Sequence, residues 1–261
     1  MHFNLLTIFP ELFPGPLGHS LSGKGLEAGL WSYEAINIRD FALDKHQTVD
    51  DTPYGGGAGM VMKPDVLARA VDYVIEKEKK KARGLTDSRV HEESELMTEN
   101  CELRTKIIYP SPRGALLTQR KVEELSQLDS LTIVCGRYEG IDQRVIDKYD
   151  IEEVSIGDYI LTGGELAAVI IIDACIRNIN GVLGNPQTTE EESFCGGKYS
   201  NLLEYPHYTK PSVWENLEVP EVLKNGNHKL INGWRFEQAE KITKERRPDL
   251  WKKHIKIKNG E

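Results

Sequence analysis

The chain lacks the features that would tie it to a membrane, a disulfide framework or a structural metal. Its longest uninterrupted apolar run is residues 166–172, far short of the roughly 18 residues a membrane-spanning helix requires. Its four cysteines, Cys101, Cys135, Cys175 and Cys195, lie far apart with no C-x-x-C pair. That spacing argues against a zinc site or a disulfide scaffold and makes the cytoplasm the expected compartment. The opening MHFNLLTIFPELF has no basic region and carries an acid inside its apolar part, so it is not expected to act as a secretory signal. No G-x-G-x-x-G follows the first predicted strand, which weakens both a dehydrogenase and the common methyltransferase fold. Residues 18–25, G-H-S-L-S-G-K-G, approach a phosphate-binding P-loop, but Gly25 stands where a magnesium-binding Ser or Thr is needed. Positive charge is also in deficit. Lys and Arg number 33 against 41 Asp and Glu, a formal charge of −8, which argues against a general nucleic-acid sink.

What is present is an ordinary globular balance, 39% apolar and 28% charged over 261 residues. That is enough for one large domain or two unequal ones, each with a core of its own. Strands are predicted at residues 2–8, 33–38, 106–109, 131–135 and 152–156. Helices are predicted at 64–83, from Thr118 onward, at 141–149 and at 164–179. In the first helix Val66, Leu67, Ala70, Val71, Val74 and Ile75 fall on one face. The helix at 164–179 is apolar on most sides and is expected to be buried. Alternation of this kind predicts an α/β fold, a mostly parallel sheet with helices on both faces. Residues 85–104 are polar without periodicity and read as a flexible insertion. Residues 184–198 are rich in Gly, Thr and Glu and read as a linker between a domain at 1–183 and a small helical domain at 199–261. The charge deficit reverses near the end, where residues 241–258 hold eight Lys or Arg and two acids.

In a parallel sheet the ligand site forms where loops converge beyond the carboxyl ends of the strands. Three such loops are glycine-bearing: PSPRG (110–114), GRYEG (136–140) and GDYILTGGE (157–165). One such loop is usually a turn, but three after successive strands point to a small-molecule pocket. The apolar Tyr159, Ile160 and Leu161 between the glycines suit a flat aromatic ring better than a polyphosphate. A fourth cluster, DDTPYGGGAGM (51–60), suggests a mobile loop that lies against something.

These segments, with CGRYEGID, SIGDYILTGGE, GVLGN and LEYPHYTKP, resemble in order the bacterial tRNA (guanine-37-N1) methyltransferase family, TrmD. The resemblance covers nearly the whole chain except the 85–104 insertion. It implies a SPOUT-class domain with a deep trefoil knot, a homodimer, S-adenosylmethionine as methyl donor, an association with Mg²⁺, and tRNA as acceptor. It also implies that Tyr109, Pro110, Ser111, Pro112, Gly136, Tyr138, Glu139, Ile156, Gly157, Asp158, Tyr159, Ile160, Leu161, Gly163 and Gly164 surround the donor. Glu139 would partner the donor's cationic part or touch magnesium.

Guanine N1 carries a proton and is a poor nucleophile, so its methylation needs a general base and positive charge near O6. By resemblance the base is Glu192, before Ser193-Phe194, where the family usually has Asp; Glu190 and Glu191 are close enough to leave the assignment open. The same resemblance places the cation at Arg177, which could otherwise be an ordinary helix C-terminal charge. Ala58 and Ala167 stand where the family often has Pro, which should alter loop stiffness more than chemistry. Arg235, Lys241, Lys244, Arg246, Arg247, Lys252 and Lys253 are candidates for phosphate contacts. Trp214 and Trp234 could stack on bases, although tryptophans in a small helical domain are more often core, and His207 reads as structural. Two competing readings stay open: a ribose 2′-O-methyltransferase on the same scaffold, and a non-catalytic RNA-binding protein.

Overall fold

The computed structural model describes residues 1–84, 103–184, 192–194 and 196–259. Nearly all of the 85–104 insertion, together with Cys101, Glu190, Glu191 and Cys195, lies outside them. The chain divides into two compact units, Met1–Leu183 and Gly184–Glu261.

The first unit is built on five parallel strands, β1 (His2–Thr7), β2 (Ser32–Asn37), β5 (Thr105–Leu116), β6 (Ser130–Val134) and β7 (Glu152–Ser155), in the order β2-β1-β6-β5-β7. Between them in the chain come α1 (Ser20–Glu27), the two-residue strands β3 (Asp50–Asp51) and β4 (Val61–Met62), and α2 (Pro64–Ala82). After β5 come α3 (Gln119–Ser126), α4 (Gln143–Tyr149) and α5 (Glu165–Ile176). The central strands are buried on both faces and alternate with period two. Phe3, Leu5, Leu131 and Ile133 face one core with Val122 and Leu125 of α3 and Ala168, Ile171 and Ile172 of α5. Leu6 and Val134 face the other with Val66, Leu67, Ala70 and Val71 of α2 and Val145 and Ile146 of α4. Helices therefore cover both faces, as the alternation predicts.

Local chemistry sets the helix starts. The Thr118 hydroxyl accepts from the Lys121 amide at 3.3 Å, and the Asp142 carboxylate from the Arg144 amide at 2.9 Å, each satisfying an orphan donor of a first turn. Three elements depart from expectation. The strand predicted at 106–109 runs on to Leu116, with its register to β7 shifting between Pro110 and Ala115. The segment at 18–25, which falls short of a P-loop, is largely helix α1, where no element is predicted. Its glycines serve packing, since a Cβ on Gly23 would lie 2.4 Å from the Gly18 carbonyl oxygen. Helix α5 is buried along Ala167, Ala168, Ile171 and Ile172, yet Leu166 is 62% and Ile170 45% exposed.

The second unit carries a hairpin, β8 (Val213–Trp214) and β9 (Leu217–Glu218), and two helices, α6 (His228–Arg246) and α7 (Pro248–Lys258). Its core centres on Tyr199, Leu202 and Ala239, with Phe236 packed against them. Trp214 is exposed on the hairpin rather than in this core. Trp234 is half-buried, its ring centroid 6.2 Å from that of Tyr208.

Gly114 sits where β5 meets the backbone of β7: a Cβ there would fall 2.3 Å from Glu153 C and Val154 N. Gly114→Ala is therefore expected to destabilise the chain by about 1–3 kcal/mol. The control Gly184→Ala, where an added Cβ meets nothing within 4 Å, should change stability by less than about 0.5 kcal/mol. Urea unfolding followed by circular dichroism measures both, and equal midpoints would refute the close-approach account.

Candidate functional site

The carboxyl ends of β5, β6 and β7 open into one cavity of about 290 Å³. Glycine is what lets the walls come together. A Cβ on Gly136 would lie 2.6 Å from the Tyr109 ring, and one on Gly164 2.9 Å from Cys135 Cα. The Gly164 amide donates to the Gly136 carbonyl at 2.9 Å, tying the third loop to the second. Gly157 adopts φ +143° and folds Tyr159 back over itself, where a Cβ would meet the ring at 2.6 Å. The Tyr159 hydroxyl donates to the Ile156 carbonyl at 3.3 Å.

Every residue expected around the donor lines this cavity except Asp158, which is exposed. The lining also includes Arg137, Gly140, Val154, Ser155, Thr162 and Ala167, which sequence reasoning did not single out. Arg137 was within reach, because it stands inside GRYEG. Thr162 likewise stands inside GDYILTGGE, and Ala167 stands out in the sequence only as a position where the family often has Pro; both reach the wall through the path of the loop into α5.

The mouth is braced from the β3–β4 side. The Glu139 amide donates to the Met60 carbonyl and the Met62 amide to the Gly140 carbonyl, both at 2.9 Å. Gly59, at φ +89°, lies against the Glu139 side chain, whereas Gly55, Gly56 and Gly57 have nothing within 4 Å of a would-be Cβ. Only one end of the glycine cluster thus lies against a partner. Tyr138 holds φ +60°, an uncommon conformation for a bulky residue. Its phenol is pushed up by burial and by the Asp50 carboxylate that it meets alongside Arg39. Burial likewise pushes up the phenol of Tyr109. On the outer wall Arg113 donates through Nε and Nη2 to Glu153 Oε1, at 3.1 and 2.9 Å.

A charge pair joins the half-buried Arg137 of the cavity wall to a buried carboxylate behind it. Glu165, 2% exposed, accepts from the Thr7 hydroxyl at 2.8 Å and faces Arg137 Nε at 2.8 Å. The approach to Arg137 is off the hydrogen-bond line, so the two meet as an ion pair. Beneath them Cys135 is buried, and burial followed by the Glu165 carboxylate pushes its thiol well up, with Arg137 opposing.

Arg177 does not line this cavity. It lines a second one of about 480 Å³ together with Pro16, Leu17, Gln119, Val169, Ile170, Asp173 and Ala174. It caps the far end of α5, a twelve-residue helix that spans roughly 18 Å. Glu192 belongs to the second unit and is half-buried. The turn after it is anchored, with the Ser193 hydroxyl accepting from the Glu204 amide at 2.8 Å and the Phe194 amide donating to the Leu202 carbonyl at 3.2 Å. Among the described residues no three His, Cys, Asp or Glu side chains gather as a metal site.

The second unit displays the cations. Lys241, Lys244, Arg246, Lys252 and Lys253 are exposed. Arg247 forks onto Asp249 at 2.9 and 2.7 Å and draws that carboxyl down to about 2. Arg235 instead lies half-buried over the Tyr205 ring, 4.8 Å from its centroid. His207 pairs with Glu204 at 2.8 Å, a structural contact.

Residues 1–253 match the family model described as tRNA (Guanine-1)-methyltransferase TrmD. The tRNA (guanine-N(1)-)-methyltransferase of Rhizobium etli is 51% identical over 256 residues, covering 98% of this chain and 97% of the relative. That of Mesorhizobium japonicum is 52% identical over 251 residues, 96% of each chain. That of Ehrlichia canis is 48% identical over 250 residues, 96% of this chain and 95% of the relative.

Two buried thiols in the core packed with α3 and α5 give a direct check on how closed that core is. Cys135 is pushed well up and Cys175 to about 12. A raised thiol holds less thiolate at a given pH, and thiolate is the reactive form. With Cys101 and Cys195 replaced by serine, a thiol-reactive chromophore at pH 8 should label nothing in the native protein and both cysteines in denaturant. Native labelling within minutes would show the core face to be open.

Proposed function

The chain belongs to the tRNA (guanine-1)-methyltransferase family, and on that premise we propose that it transfers a methyl group from S-adenosylmethionine to N1 of guanosine 37 in tRNA. The observation that carries this reading is the convergence of three glycine-bearing loops from adjacent parallel strands on one cavity. The cavity fits the donor in kind. Glycines at 136, 157 and 164 let its walls close, since a Cβ at each would collide with Tyr109, Tyr159 or Cys135. Val154, Ile156, Ile160 and Leu161 supply apolar walls for a planar base, and the loop backbones supply polar groups for its edge. When bound, the donor contributes an activated methyl on a positively charged sulfur. Glu139 is the carboxylate among the lining residues to face that charge.

The chain's own work is positioning and proton removal. Glu192 accepts the N1 proton, and Arg177 stabilises the negative charge that develops on O6. Glutamate is one methylene longer than the usual aspartate, and the anchored Ser193-Phe194 turn sets where that extra length is taken up. The homodimer that the family implies finds support in the surface of α5. Leu166 and Ile170 are exposed on it, beside the apolar Pro16 and Leu17 of the second cavity. In such a dimer Arg177 acts on the donor cavity of the other copy, since it does not line its own. The SPOUT class and its trefoil knot rest on the family match over residues 1–253. The unit from residue 199 onward holds the anticodon stem through Lys241, Lys244, Arg246, Lys252 and Lys253.

Methylation of transcript tRNA, followed by nucleoside analysis, tests the reaction. The expected product is 1-methylguanosine, formed with guanosine at position 37 and lost with adenosine there. A methylated ribose would overturn the proposal. Glu192→Gln should lower kcat by at least about 100-fold with donor affinity nearly unchanged. Arg177→Ala should lower it by about 100-fold. Wild-type turnover in either variant would remove that residue from the mechanism.

A further inference from the structure

Arg137 is the one cation among the residues that line the cavity, and nothing in the mechanism above uses it or the carboxylate behind it. Its side chain is held on four sides. Nε lies 2.8 Å from Glu165 Oε2, Nη1 donates to the Thr162 carbonyl at 3.3 Å, and the guanidinium stands 4.5 Å over the Phe9 ring. Gly163 packs flat against it, leaving so little room that a Cβ would fall 2.3 Å from Nε. Glu165 is held as firmly. It opens α5, where the helix dipole favours negative charge, and its other oxygen accepts from Thr7 on β1. Burying a carboxylate is costly unless it is paired, so its place behind a binding cavity calls for a function.

The charges of the two ligands supply one. Resting on the reading of this cavity as the donor site, the bound molecule changes charge during turnover. S-Adenosylmethionine carries a positive sulfur, and the product, S-adenosylhomocysteine, is the same molecule without the methyl and without that charge. A bare guanidinium in the wall would repel the donor and not the product. We propose that Glu165 is a specificity-determining positioning residue: by neutralising and clamping Arg137 it lets the cavity accept a sulfonium, and so sets the preference between donor and spent product. It touches neither ligand and acts through Arg137. A merely structural Glu165, pinning α5 to β1, would support both ligands alike.

Calorimetric titration of the full-length protein with each ligand separates the two roles. Glu165→Gln keeps the shape and the acceptor for Thr7 but removes the charge. The dissociation constant for S-adenosylmethionine should rise about tenfold, the order expected of one unpaired charge acting through a partly screened site. That for S-adenosylhomocysteine should stay within about twofold. Removing both charges, Arg137→Gln with Glu165→Gln, should return the ratio of the two constants to within about twofold of wild type. Should Glu165→Gln fail to fold, Arg137→Gln alone reads the same effect in reverse, tightening the donor relative to the product. Equal weakening of both ligands by Glu165→Gln, or an unchanged ratio in Arg137→Gln, overturns the proposal. Wild-type protein that binds neither ligand overturns the donor-cavity reading itself, a separate failure visible before any variant is made.

Discussion

The cavity depends on backbone meeting backbone without a side chain between. At Gly114, Gly136 and Gly164 a Cβ would stand within 3 Å of a neighbouring strand, ring or loop, closer than carbon atoms pack. Remove that freedom and β5 cannot pass β7, the second loop cannot lie on Tyr109, and α5 cannot start against the end of β6. The glycine content of these loops is therefore a packing requirement first, and a consequence of it is a hollow walled by main chain. Such a wall holds its shape through hydrogen bonds like that from Gly164 to Gly136 rather than through rotamers. It is suited to a reaction in which alignment does most of the work.

Charge is distributed to match. The net charge of −8 conceals two local arrangements of opposite character. In the first unit the ionic groups near the cavity are largely paired, Arg137 with Glu165 and Arg113 with Glu153. In the second, Lys241, Lys244, Arg246, Lys252 and Lys253 project into solvent from α6 and α7. Paired charge suits a small ligand of mixed sign, and displayed positive charge suits a phosphate backbone. The proposed chemistry divides along the same line: the donor is held in the parallel sheet and the acceptor by the terminal helices.

Much of the fold was legible because the signals are local. The short apolar runs of β1 and β6, the one-sided stripe of α2 and the Thr118 start of α3 depend on neighbours a few residues away. The second and third loops were legible as a site for the same reason, since glycine and polar residues follow directly on predicted strands. What failed did so where distant contacts override a local pattern. Helix α1 went unpredicted in the segment that falls short of a P-loop, where Gly23 and Gly25 let the chain pack on Gly18, Trp31 and Val182. The strand at 106–109 ran on through PSPRG because β7 offers it a ladder on both sides of a register shift. Trp214 reached the surface because a tight hairpin, turning through Glu215 and Asn216 at positive φ, carries it away from the small core.

The sequence by itself determined the α/β class, the order of its elements, the family and the loops from which a site could be made, since each is written in periodicity, spacing or motif. Only the tertiary structure decided which side chains share a space. Arg177 and Gly164 lie at opposite ends of one short helix, and nothing in their spacing tells that they line different cavities. Glu165 and Arg137 stand 28 positions apart and meet only because β1, β6 and α5 converge. Sequence records distance along the chain, whereas charge neutralisation and access to a cavity depend on distance through space, and folding alone converts one into the other.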